Sequence, residues 1–186
     1  MNYVLLNADG SVVGRSRVAG AFAEEAGFTI FETEAWPEPG MILADDAFQP
    51  APVPIDLAKE RAARAIMTER DRRIDGGFTF GGVRYQTRPG DRENIAGAAQ
   101  LALMATMTGA GAGDLRWHGG DSDFVWIAED NSEVAMDAPT VIAFAKAAAE
   151  MKSACIFHAK ALKEDVAAAA DGAAIDSIDI ASGWPG

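Results

Sequence analysis

Cysteine and histidine are nearly missing from this chain: Cys155 stands alone among 186 residues, and His118 and His158 are the only imidazoles. A single thiol permits no intrachain disulfide and no paired-cysteine metal or redox motif, so the chain is read as one made in a reducing compartment. Basic charge is also short. Sixteen Lys and Arg stand against twenty-eight Asp and Glu, leaving −12 and a pI near 4.5. A general phosphate-backbone binder needs a basic face, so nucleic acid is not an expected partner. No apolar run approaches the ~18 residues of a membrane span. The opening residues Met1 to Leu6 carry no basic side chain, and Asp9-Gly10 follows them early, so no secretory signal is expected.

The deficit of positive charge is spread over the chain. The first fifty residues hold Arg15 and Arg17 against eight acids. The one local cluster, Arg70, Arg72 and Arg73, is interleaved with Glu69, Asp71 and Asp75, which is the pattern of a solvated helix end.

What is present is enough apolar material for a core, with hydrophobic residues at 49%. The pattern is α+β. Residues 1–49 read as a small domain rich in β-hairpins: Tyr3 to Leu6 and Val12-Val13 flank Asp9-Gly10, and a further strand covers Phe28 to Thr33. Trp36 to Gly40 is a loop. Gln49-Pro50-Ala51-Pro52-Val53-Pro54 alternates three prolines, so residues 50–57 are assigned as a semi-rigid linker.

Residues 58–186 are expected to form the second domain, with three helices, one of them long, and short antiparallel hairpins. Asp56 is read as the cap of a first helix ending near Asp75 at Gly76-Gly77. Its thin apolar face (Leu57, Ala62, Ala65, Ile66) suggests a surface helix or one that packs on copies of itself. Gly81-Gly82 turns a hairpin between Phe78 to Phe80 and Val83 to Tyr85. A second helix is expected from about Arg92 to Thr108, apolar at Ile95, Ala98, Leu101, Ala102 and Ala105. Strands are expected at Leu115 to Trp117, Phe124 to Ala128 and Val134 to Met136. The third helix begins after the cap Asp137, with Pro139 in its first turn, and runs to about Ala170. Ile175 to Ile180 alternates like a closing strand.

On this third helix Val141, Ala148, Cys155, Leu162 and Ala169 recur every seven residues, beside Phe144, Met151 and His158. Such a stripe favours a long helical neighbour. The second helix reaches about 25 Å along some 50 Å. The far half of the stripe, with Cys155, Leu162 and Val166, is therefore expected to contact another chain, a copy of itself or a partner.

No nucleophile–base or phosphate-loop constellation is read from this residue set, while paired carboxylates, which meet only in the fold, stay open. A mid-helix Cys155 gains nothing from a helix N-terminus and reads as a small buried hydrophobe. His158 reads as a core or interface residue and His118 as part of a turn. Gly109 to Gly113 follows a helix, so carbonyls rather than N–H groups face it, and no Gly-Lys-Ser/Thr succeeds it. Asp121-Ser122-Asp123 opens like a calcium loop, but Val125 takes the next ligand position. No catalytic residue, cofactor or metal is expected.

Gly77 to Tyr85, Asp91 with Asn94 to Gly97, Val125 to Ile127 with Asp130-Asn131, Val134 to Ala138 and Gly183-Trp184-Pro185 occur in an order that resembles a domain family of unknown function. That family recurs in phage and prophage tail and tail-fibre gene clusters. The resemblance covers about residues 70–185. Pro39 to Leu43 and Phe48 to Pro50 likewise resemble the segment before the proline linker of phage tail-fibre accessory proteins. The resemblance implies a non-enzymatic structural part of the virion tail, at the tip or the fibre base, synthesised in the host cytoplasm and bound to tail or tail-fibre proteins. A tail-fibre assembly chaperone is the alternative. A small hydrolase or carbohydrate-binding module, using Trp36, Trp117 or Trp126, is a further one.

Overall fold

Prolines and glycines punctuate this chain, and the regular elements fall between them. A computed structural model describes residues 1–22 and 27–185, so 23–26 and Gly186 lie outside the described residues. The fold is α+β, and the chain divides into two compact units, Met1–Pro54 and Ile55–Gly186.

In the first unit, strands β1 (Asn2–Asn7), β2 (Val12–Ser16) and β3 (Phe28–Thr33) form an antiparallel sheet in the order β2-β1-β3. The Asp9-Gly10 turn differs from the two-residue form expected. Gly10 alone takes positive φ, at 81°, while the Asp9 carboxylate accepts from the Ser11 N–H (2.9 Å) and hydroxyl (2.6 Å). A side chain thus replaces the second left-handed residue. Strands β4 (Met41–Ala44) and β5 (Ala47–Pro50) make a second hairpin that was not expected. Its turn places Asp45 and Asp46 at φ 51° and 60°, a conformation Asp tolerates better than most side chains. Val4, Leu6 and Val12 form the core, with Phe31, Met41, Leu43 and Phe48 packed on it. Pro50 ends a strand opposite Met41, so of the three alternate prolines only Pro52 and Pro54 lie outside an element.

In the second unit, α1 (Ile55–Asp75), the hairpin β6 (Phe78–Phe80) and β7 (Val83–Tyr85), and α2 (Pro89–Met107) precede the hairpin β8 (Val125–Ile127) and β9 (Glu133–Ala135). Helix α3 (Ala138–Ala168) and the short α4 (Gly172–Asp176) follow. At 31 residues α3 spans about 46 Å and forms the spine of the unit. Asp137 caps it, accepting from Thr140 N–H at 2.8 Å, and Pro139 sits in the first turn. Met136 and Val141 are both buried, as a hydrophobic staple requires.

Helices α1 and α2 cover successive lengths of α3. Ile95 and Ala102 of α2 pack with Val141, Phe144 and Ala148, while Ile66 of α1 packs with Ala159, Leu162 and Val166. Their ends are pinned together. Arg92 Nη1 lies 2.5 Å from Asp75 Oδ1. The buried Thr87 hydroxyl donates to the Ile74 carbonyl (2.6 Å) and accepts from the Gly77 N–H (2.9 Å). Gly77 itself is held at φ 88°, and a Cβ there would come within 2.5 Å of the Tyr85 carbonyl oxygen.

Three local expectations are corrected. Asp56 lies inside the first turn of α1, which begins at Ile55 directly after Pro54, so it complements the helix dipole rather than capping. Leu115 to Trp117 is a turn, with Asp114 accepting from Arg116 N–H (3.0 Å), and its backbone link to the chain before β8 is a single bond from Phe124 N–H to the Leu115 carbonyl (2.7 Å). Ile175 to Ile180 begins in α4 rather than a strand. Asp171 caps that helix by accepting from Ala174 N–H at 2.8 Å, and Ile175 and Ile178 fit helical i,i+3 spacing as well as alternation.

Candidate functional site

The thiol and both imidazoles are tied into the fold. Cys155 is buried on α3 with its sulfur 3.8 Å from that of Met151, and burial pushes its thiol pKa up. A protonated, enclosed thiol is a poor nucleophile. His158 has its Nε2 3.2 Å from the Ser182 carbonyl and its ring edge-on to Trp184, centroids 4.6 Å apart. The Trp184 indole N–H donates back to the Ile180 carbonyl (2.8 Å). His158 therefore fastens the C-terminal segment to α3. His118 lies in a turn, its ring against Trp117 and Phe124.

The glycine run after α2 leads back to the start of α3. Gly113 N–H donates to Asp137 Oδ2 at 2.7 Å, so one carboxylate caps the helix and anchors the loop. Hydrogen bonds from Thr140, and then from Gly113, hold the Asp137 carboxyl below the usual carboxylate range. Asp123 of the Asp121-Ser122-Asp123 stretch meets Arg116 at 3.5 Å. Among the described residues no three His, Cys, Asp or Glu side chains converge on a common point. Trp117 and Trp126 join the core around Phe144, Trp117 donating its indole N–H to the Met136 carbonyl at 3.0 Å. Trp36 is exposed in the first unit, with the guanidinium carbons of Arg15 and Arg17 lying 5.0 and 4.9 Å from its ring centroid.

The seam assigned to a partner chain is covered by the chain itself. Cys155, Leu162 and Val166 are 0, 8 and 2% exposed. Ala62 and Ile66 of α1 cover the stripe from one side, and Ile178, Ile180 and Trp184 of the C-terminal segment complete the cluster. The expectation of a partner there rested on treating α1 as a surface helix. With α1 laid along α3, the length that α2 leaves uncovered is filled.

The segment is fixed by a charge cluster at Glu69. Arg72 forks onto this carboxylate with contacts of 2.7 and 2.6 Å, and Arg73 Nε adds a third at 2.6 Å. These hydrogen bonds, Arg72 first and then Arg73, lower the Glu69 pKa from 4.5 to about 2. Arg73 also donates to the Ala181 carbonyl at 2.9 Å, so the cluster holds the C-terminal segment as well as the helix end.

The candidate site lies where the helical layer is left bare. Between α2 and α3 a cleft of about 160 Å³ is floored by Ile95, Ala96, Ala145 and Ala149, with Arg92 and Lys152 at its rim. It adjoins a wider depression of about 530 Å³ at the α1–α2 junction, which shares Arg92 and Lys152 and adds Arg70, Asp71, Ile74, Asp75 and Ile156. Arg70 pairs with Asp71 (2.7 Å) and Arg92 with Asp75 (2.5 Å). Lys152 makes no ion pair among the described residues. Leu103 and Met107 continue this side of α2 and are 55 and 81% exposed, while Leu101 and Met104, also exposed, lie farther round the helix. Leu101 was expected in the core, and it faces outward because Ala98, Ala102 and Ala105 take the contact positions. Reading the sequence missed this site, since alanines and one lysine carry no motif. The signal available was the uncharged run from Asn94 to Gly113.

No curated protein and no solved structure matches the chain. A family model matches residues 57–182, which spans α1 through the C-terminal segment. The chain belongs to the family described as a domain of unknown function (DUF4376).

Proposed function

We propose that this protein is a non-enzymatic structural component of a bacteriophage tail, at the tail tip or the base of a fibre, located in the virion tail. The tail setting comes from the resemblance over residues 70–185. The observation that supports a structural role is the employment of the reactive groups: Asp137 caps and anchors, His158 and Glu69 fasten the C-terminal segment, and Cys155 is packed away. A catalytic site needs a nucleophile and base within reach of each other and of substrate. Here the two imidazoles serve separate packing tasks.

The assembly-chaperone reading draws on a different observation. Four large apolar side chains stand exposed at the end of α2, and a surface of that kind suits a partner that is held and released. Both readings make tail or tail-fibre proteins the partners. Quantitative mass spectrometry of purified particles separates them. A fixed copy number per particle is expected. Absence from particles, with the protein abundant in the lysate, would contradict the virion role and favour the chaperone.

A further inference from the structure

One flank of the helical layer is covered, by the two hairpins over the N-terminal half of α3 and by the C-terminal segment over the other half. On the α2–α3 face with the cleft, no described residue of the hairpins or of the C-terminal segment lines the opening. We propose that this face docks an amphipathic helix of a partner protein, with an acidic residue of that helix meeting Lys152. The proposal rests on the assembly reading for the existence of a partner and adds where and how that partner binds.

Three observations converge on that occupant. First, shape: Arg92, Ala96, Ala99, Leu103 and Met107 follow one another at spacings of four, three, four and four, which is one side of α2. Those fifteen steps reach about 22 Å, four turns of a docked helix. Small side chains at Ala96, Ala145 and Ala149 let a foreign backbone come close. Second, the anchor: a cleft of about 160 Å³ suits one large apolar side chain, since an apolar cavity of ~150 Å³ accepts a benzene-sized group. Third, charge: of the three cations lining the cleft and the depression, Arg70 and Arg92 are answered by Asp71 and Asp75, and Lys152 makes no ion pair among the described residues. From Asn94 to Gly113 the chain carries no charge at all, so an acidic partner meets no repulsion along α2. A second copy meeting this chain through the same side of α2 is a poorer fit, because Asn94 to Gly113 brings no acid to Lys152.

The test uses purified full-length protein and two synthetic amphipathic peptides of about fourteen residues, four helical turns. Both place leucine on one face, and the polar face is glutamate in one and lysine in the other. Long-range electrostatics on so acidic a protein favour the lysine peptide. The proposal predicts the reverse: in fluorescence anisotropy at physiological ionic strength the glutamate peptide binds about tenfold tighter or more. Lys152→Glu should cancel that preference, and Leu103→Glu should weaken the glutamate peptide by about tenfold, both with unchanged thermal melting. Tighter binding of the lysine peptide, no saturable binding of the glutamate peptide, or indifference to both variants would overturn it. So would a dimer in sedimentation that buries this face. Because no particle enters this experiment, its failure beside detection in particles removes the docking site and leaves the tail reading standing.

Discussion

The two halves of α3 are buried by different means. Around Val141 to Ala148 the cover is aromatic: Phe144 meets Tyr85, Trp126 and Phe78 at centroid distances of 4.8, 5.0 and 5.2 Å. Around Cys155 to Val166 the cluster is smaller, with Ile66, Ala159, Leu162 and Val166 at its centre. There side-chain pins onto the backbone supplement it: Arg73 to Ala181, Lys59 to Ala167 and His158 to Ser182, at 2.9, 2.7 and 3.2 Å. A large aromatic core buries area without help, whereas a thin aliphatic one gains from directional contacts that fix the neighbouring chain. The first half should respond most to volume and the second to loss of pins, while acid reaches the first through Asp137 and the second through Glu69.

Phe144→Ala should break the aromatic half outright. Removing a fully buried ring costs about 3–5 kcal/mol, a large share of a domain's stability, and denaturant unfolding should show it. Thr87→Val comes next. It leaves the Gly77 N–H and the Ile74 carbonyl without their shared partner at the point where the two halves join, so a loss of about 1–3 kcal/mol is expected from the same measurement.

Acid should weaken the second half through Glu69. Glu69 has its pKa lowered on folding, so its stabilisation is present above the unfolded value near 4.5 and is lost as pH falls towards about 2. Melting followed from pH 6 down to about 2 should therefore decline below about pH 4.5, and Glu69→Gln should flatten that decline. An unchanged slope in the variant would assign the acid sensitivity to other carboxylates. The smallest effect is expected from His158→Ala. It removes an edge contact and one hydrogen bond at a half-buried site, so about 1 kcal/mol or less of global stability is at stake. Faster proteolysis after Ile178 should reveal it as local release of the C-terminal segment.

The difference between the halves also explains what was legible. The N-terminal half of α3 announces itself: Asp137, Pro139 and the Met136–Val141 staple mark its start, and Gly81-Gly82 marks the hairpin that covers it, with φ 58° and 81°. The ion pairs Glu60–Arg64 and Glu69–Arg73 were readable from i,i+4 spacing and form at 2.8 and 2.6 Å. The C-terminal half was misread because its cover is not periodic. Ile66 is one large apolar residue on a charged helix, and Ile178, Ile180 and Trp184 come from an irregular segment that no 2.0 or 3.6 period describes. The Asp45-Asp46 hairpin escaped for a related reason, since neither residue is the glycine or asparagine that usually signals such a turn. The bare flank was invisible because a site made of alanines is defined by what fails to cover it.

The central claim is that α3 closes its stripe within the chain and that a partner meets the opposite flank. The thermal melting of Leu162→Asp beside that of Leu103→Asp tests it most directly. Leu162 is 8% exposed and Leu103 55%. The account predicts that Leu162→Asp, which puts a charge into the α1–α3 contact, lowers the melting temperature by about 10 °C or more, while Leu103→Asp leaves it within about 2 °C. Native-like melting of Leu162→Asp, with altered self-association, would contradict the account and return the partner interface to α3.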